Sequence, residues 1–147
     1  MKLDELVKEF FSEGTSENET ILEVYKFITS TPPTSKAVML NRLLIADTLR
    51  PQIAAIIYQV REIHRVNELK YRVKYDHEFT VLTGIGRPSA QSIECEIYDT
   101  IPELRDAKQK LDKIDAFIYM LQSFVKSLDQ VKNTADSYLK SYGLLDK

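Results

Sequence analysis

Two histidines, one cysteine and a run of cations interleaved with tyrosines are the parts of this 147-residue chain that could do chemistry. His64 and His77 lie thirteen residues apart, with no HExxH and no Cys-His spacing, so the ligand pattern of a zinc site is not met. Gly84 to Arg87 reads GIGR. It lacks the Lys-Ser/Thr pair of a phosphate-binding loop and a strand to lead into it, and it reads as a plain loop. Cys95 stands between Glu94 and Glu96, and negative neighbours disfavour the reactive thiolate. The carboxylates Asp112, Asp115, Asp129 and Asp136 read as a solvated helix face. The chain is expected not to be an enzyme, with no catalytic residue, no metal and no cofactor.

The cationic run is of a different kind. Arg61, His64, Arg65, Lys70, Arg72 and Lys74 face only two acids, Glu62 and Glu68, over the same stretch, with Tyr71 and Tyr75 among them. Cations attract phosphates through a salt-dependent, sequence-independent attraction. Tyrosine rings offer faces on which unpaired bases stack, at about 1–3 kcal/mol per base. Arg61, Arg65, Lys70, Tyr71, Arg72, Lys74 and Tyr75 are therefore the expected contacts for single-stranded nucleic acid. The plainer alternative is that Lys70 and Lys74 snorkel at the solvated end of a bundle while the tyrosines pack.

Net charge is −2, against a generally basic nucleic-acid binder. Its distribution is uneven: residues 1–23 sum to −5, residues 36–74 to +5 and residues 75–147 to −3. A positive block lies between two negative ones, although solvated helix faces alone could produce it. No apolar run approaches the roughly 20 residues that span a bilayer. The acidic start MKLDELVKEF lacks a signal-peptide core, and the lone Cys95 leaves no partner for a disulfide within the chain. The expectation is a cytoplasmic protein, in the host cytoplasm if viral, with no membrane partner.

These residues need elements to carry them. Only four glycines occur, so few turns are available and long helices are favoured. Leu3, Leu6, Val7, Phe10 and Phe11 have helical spacing, ending near Gly14. GTSENET reads as a polar break in which Thr20 caps the next helix, with Glu23 completing a capping box. TSTPPTS ends that helix as a linker or hinge. A helix then starts near Ser35, with a kink or a break at Pro51. Beyond it Ile53, Ile56, Ile57, Val60 and Ile63 form a stripe that one heptad later becomes Asn67, Lys70 and Lys74. This helix is expected to run to about Phe79 or Leu82. Thr83 to Ser92 reads as a loop, and Ile93 to Ile97 as a short strand or extended connector.

The last segment is the clearest. Pro102 suits a first helical turn, capped by Asp99 or Thr100. Ala107, Ile114, Leu121, Leu128, Ala135 and Tyr142 repeat every seven residues, as do Leu111, Ile118, Val125 and Leu139, broken only by Lys132. A third row is Phe117, Phe124, Val131 and Tyr138. The heptads read as a coiled coil or bundle, with Gly143 as the stop. Leu111, Ile114, Ile118, Leu121, Val125 and Leu128 are the expected oligomerisation seam, because one chain cannot easily bury so broad a stripe. A compact monomeric bundle is the alternative. The expected class is all-α: two long helices forming a helical hairpin or bundle, small N-terminal helices, and self-assembly through the C-terminal helix. The expected organisation is an acidic helical region over 1–31 and a hairpin over 32–147, one domain overall.

Four stretches carry a family likeness: MKLDELVKEF, LKYR at Leu69 to Arg72, TGIGR at Thr83 to Arg87, and SLDQVKN at Ser127 to Asn133. Together they resemble phage recombination mediators of the UvsY type, in order along most of the chain. The resemblance implies a homo-oligomer that binds single-stranded DNA and helps load a RecA-like recombinase onto strands covered by single-strand-binding protein, with no nucleotide hydrolysis of its own. It also implies that Lys70 and Arg72 belong to the DNA-contacting motif and that the C-terminal helix carries oligomerisation. The chain differs from the family in its acidic balance, in the longer run from Lys70 to Gly84, and in Thr134-Ala135-Asp136, where Arg-Gly-Phe is common. The alternative from another class is a structural or assembly protein, such as a virion scaffold or adaptor, that does not bind nucleic acid.

Overall fold

A computed structural model describes residues 2–30, 36–84, 86 and 89–141. Within them the chain is all-α: α1 Leu3–Phe10, α2 Ser16–Ile28, α3 Lys36–Gly84, α4 Ala90–Thr100 and α5 Pro102–Ser141. The Thr31 to Ser35 part of the expected linker, Ile85, Arg87 and Pro88 of the loop, and Tyr142 and Gly143 of the last heptad lie outside the described residues. No helix among the described residues is long and apolar enough to cross a membrane. The chain divides into two compact units, one of Met1–Tyr58 with Tyr119–Lys147 and the other of Gln59–Ile118. The division falls within α3 and α5.

In the first unit, α1 buries Val7 and α2 buries Ile21 and Val24. The start of α2 corrects the expected capping box. Thr15 is the cap: its side chain accepts from the Asn18 amide at 3.3 Å. Asn18 is 3% exposed and its Nδ2 donates to the Phe11 carbonyl at 3.0 Å. That bond fixes the turn between the two helices and starts α2 early, so Thr20 falls inside it. Gly14, at φ +87°, supplies the left-handed residue in this turn.

Pro51 causes no break; α3 runs through it. Proline in a helix interior forfeits one backbone hydrogen bond and crowds the preceding turn. Here the flanking residues hold the helix: Leu49 is 3% and Ile53 0% exposed, while Pro51 faces solvent. The turn before Pro51 is also tied to α5. Arg50 Nε lies 2.7 Å from Asp129 Oδ1, and Lys132 Nζ lies 2.8 Å from Asp47 Oδ1. The second pair accounts for Lys132, the residue that interrupts the heptads.

The broad stripe of α5 is buried within a single chain. Leu111, Ile114, Leu121 and Leu128 are all under 5% exposed, so four of the six residues assigned to an intermolecular seam are core. Ile118 and Val125 are half-buried. Phe117 and Phe124, from the third row, are deeper than either. The true inward face is therefore centred one residue row away from the heptad seam, as suits packing against more than one neighbouring element.

In the second unit, Ile93 to Ile97 is helical, not extended. Ser89 caps α4 by accepting from the Ser92 amide at 3.1 Å. A strand would put Cys95 on the same side as Ile93 and Ile97. Instead both isoleucines are buried and Cys95 is exposed. Asp99 and Thr100 end α4 and do not cap α5; Asp99 Oδ1 accepts from Arg105 at 3.1 Å.

Candidate nucleic-acid interface

All five expected cations lie on α3 in the second unit, along about four helical turns. Arg61, Arg65, Lys70, Arg72 and Lys74 are exposed. Their surroundings differ. Arg65 lies 3.1 Å from Glu62, and Arg72 2.9 Å from Glu68, both pairs within the helix. Such exposed pairs are worth only about 0.3–0.5 kcal/mol each, so a phosphate can compete for the arginines. Lys70 and Lys74 have no ion pair with a described residue. They line a groove of about 330 Å³ with Asn67 and Tyr71 of α3 and with Glu103, Asp106 and Lys110 of α5. Lys110 was not anticipated, because sequence periodicity does not say which turn of α5 meets which turn of α3.

Tyr71 and Tyr75 do not have the role expected of them. They pack against the buried cluster of Ile93, Ile97 and Leu104, beside Phe79, Leu82 and Tyr98. Tyr71 and Tyr75 stack on each other at 5.5 Å between ring centroids, and Tyr75 and Phe79 at 6.2 Å. The Tyr71 and Tyr98 hydroxyls share a hydrogen bond of 2.5 Å. Burial, then that bond, pushes the Tyr71 phenol well above its ordinary value; Tyr75 is raised chiefly by burial, then by Glu94. Ring faces used in this way are not free to receive bases. The tyrosines are the continuation of the α3 seam: the inward stripe passes from Val60 through His64 and Asn67 to Tyr71, Tyr75, Phe79 and Leu82. It turns around the helix as it goes, because 3.6 residues per turn does not match a strict heptad. Lys70 and Lys74 flank that stripe and do not interrupt it.

His64 occupies the polar part of the stripe. Its Nε2 lies 2.9 Å from Asp115 Oδ1 on α5, and its Nδ1 3.4 Å from Glu68 Oε2. Since Glu68 also holds Arg72, a chain of contacts joins α5 to one of the expected DNA-contacting cations. Among the described residues no group of three or more His, Cys, Asp or Glu side chains could hold a metal ion.

Comparison with protein-family models, with curated proteins and with solved structures finds no match. The likeness to UvsY-type mediators rests on the short stretches quoted above.

Proposed function

We propose that the protein is a non-enzymatic, single-stranded DNA-binding recombination mediator, which helps a RecA-like recombinase load onto strands covered by single-strand-binding protein. The observation that carries the DNA part of this reading is the set of five exposed cations on α3, which lie along two flanks of the helix. Within it Lys70 and Lys74 lack ion pairs with described residues and share with Lys110 a groove that also holds Glu103 and Asp106, leaving one cation in excess there. The mode of contact differs from the one expected of the sequence. Phosphate attraction does the binding, and base stacking on Tyr71 and Tyr75 is absent from it. Weak sequence preference and strong salt dependence follow. The mediator part rests on the resemblance alone, through Lys70 and Arg72. Self-assembly, as that resemblance implies, would use surface other than the buried Leu111, Ile114, Leu121 and Leu128. The test is a titration of fluorescent oligo(dT) and of duplex of the same length at low salt. Preference for the single strand supports the reading, and no binding to either overturns it.

The second reading, a structural or assembly protein, is favoured by Leu40 and Leu44 in the first unit. They lie one turn apart on α3 and are 45% and 57% exposed. Oligomers in sedimentation without DNA binding would favour it.

A further inference from the structure

We infer that the outward face of α3 in the second unit is a docking surface for an acidic amphipathic helix of another protein. Val66, Leu69 and Val73 are 43%, 60% and 64% exposed. Their spacing, three and then four residues, puts them on one side of the helix. Successive residues advance by about 100°, which places this row opposite the inward Tyr71 and Tyr75. The row therefore serves no packing within the unit. Apolar residues repeated at this spacing on an exposed helix are the pattern by which one amphipathic helix receives another.

The edges of the face say what kind of helix fits. Arg61, Arg65 and Arg72 run along one side and Lys70 and Lys74 along the other. Glu62, paired with Arg65, stands at the head of the apolar row, and Glu68 pairs with Arg72. Glu103 and Asp106 lie in the groove of Lys70 and Lys74, so the arginine edge is the more cationic of the two. Leu69 itself lies in a shallow hollow with Arg65 and Arg72. A second copy of this face would bring lysine against lysine. A nucleic-acid strand would satisfy the cations but gain little from Leu69 and Val73. A helix with an apolar seam flanked on both sides by carboxylates answers both features. Charge would steer the encounter, and the apolar row would hold the complex.

The inference does not depend on the DNA reading, and one set of variants separates them. The probe is a designed peptide of about three heptads with leucine in the seam and glutamate on both flanks, compared with its lysine-flanked counterpart. The 147-residue chain is titrated with each by fluorescence anisotropy. The acidic peptide is expected to bind, the lysine peptide not. Leu69→Gln with Val73→Gln, both exposed sites, is expected to weaken the acidic peptide about tenfold, from the lost apolar burial. The same variant is expected to leave oligo(dT) binding unchanged. Four results would overturn the inference, the first three being no binding of the acidic peptide, equal binding by the variant, or a wild-type dimer that the variant splits, which would assign the face to a second copy. A matching loss of oligo(dT) binding would assign it to the strand. If the wild type binds peptide but no oligo(dT), the DNA reading fails and this one stands.

Discussion

His64 of α3 and Asp115 of α5 meet at 2.9 Å, Nε2 to Oδ1, while the other ring nitrogen faces Glu68 at 3.4 Å. A neutral imidazole has one N–H and can donate to one of these carboxylates; the protonated ring serves both. The ring and Asn67 are the polar residues of a stripe that is otherwise aliphatic or aromatic, and the ring links the two long helices within the second unit. His64→Ala is expected to cost about 1 kcal/mol of stability. It should also leave Glu68 to Arg72 alone, which makes that arginine less available to a phosphate. Chemical denaturation of the variant checks the first, and a changed oligo(dT) affinity at unchanged fold checks the second. A loss below a few tenths of a kcal/mol would mean that water replaces the contact without cost.

The tyrosine pair makes an alkaline prediction. The Tyr71 and Tyr75 phenols are both raised in the folded chain. A raised acid favours the fold while it stays protonated. Its contribution is full below the unfolded value, about 10, and is lost as pH rises through the folded one. Stability should therefore fall as pH climbs above about 10. In a spectrophotometric titration these two phenols should ionise above the ordinary tyrosine value of about 10. Tyr71→Phe orphans the Tyr98 hydroxyl and should cost about 1 kcal/mol at neutral pH. Uniform titration of all the tyrosines would contradict the packed arrangement.

Pro51 can be removed with profit. It is exposed and interior to α3, where proline is about 3 kcal/mol worse than alanine. Pro51→Ala restores one backbone donor, offset by about 0.4–1 kcal/mol of extra freedom in the unfolded chain. The variant should melt at a higher temperature. A lower melting temperature would mean that proline at this position is itself needed for α3 to meet α5 through Arg50 and Asp47.

Leu121 separates core from seam. It is fully buried in the single chain, so Leu121→Asp should unfold the first unit, at a cost of about 4 kcal/mol or more. Circular dichroism should show helix lost along with any assembly. Dissociation of an oligomer with full helicity retained would put Leu121 back at an intermolecular seam.

The long elements were legible in the sequence because their signals are many residues deep. The α5 heptads and the stripe of Ile53 to Val60 survive any one exception such as Lys132 or Pro51. What failed was local. The Thr20-to-Glu23 pattern has the form of a capping box, but Asn18 and Thr15 start the helix a turn earlier through a bond to Phe11, which no short pattern reveals. The span from Ile93 to Ile97 satisfies a period of two and a spacing of four equally well, and only the exposure of Cys95 decides between them. The candidate site was half legible. Its cations are exposed as their charge demands. Its tyrosines read as stacking faces because a rotation of the α3 stripe past Asn67 looks in sequence like its end, and their partner, Tyr98, lies on α4, whose pattern fits a strand equally well. Lys110, Leu69 and Val73 needed the packing of α3 against α5 before their surroundings had meaning.

The central claim is that cations on α3 hold a DNA strand through its phosphates. The most direct test measures oligo(dT) affinity at several salt concentrations for the wild type and for Lys70→Ala with Arg72→Ala. Both positions are exposed, so the fold should persist. Loss of two phosphate contacts should weaken binding and lower the slope of log affinity against log salt by about 1.4. A variant that is folded, binds as tightly as the wild type and keeps the same slope would contradict the account.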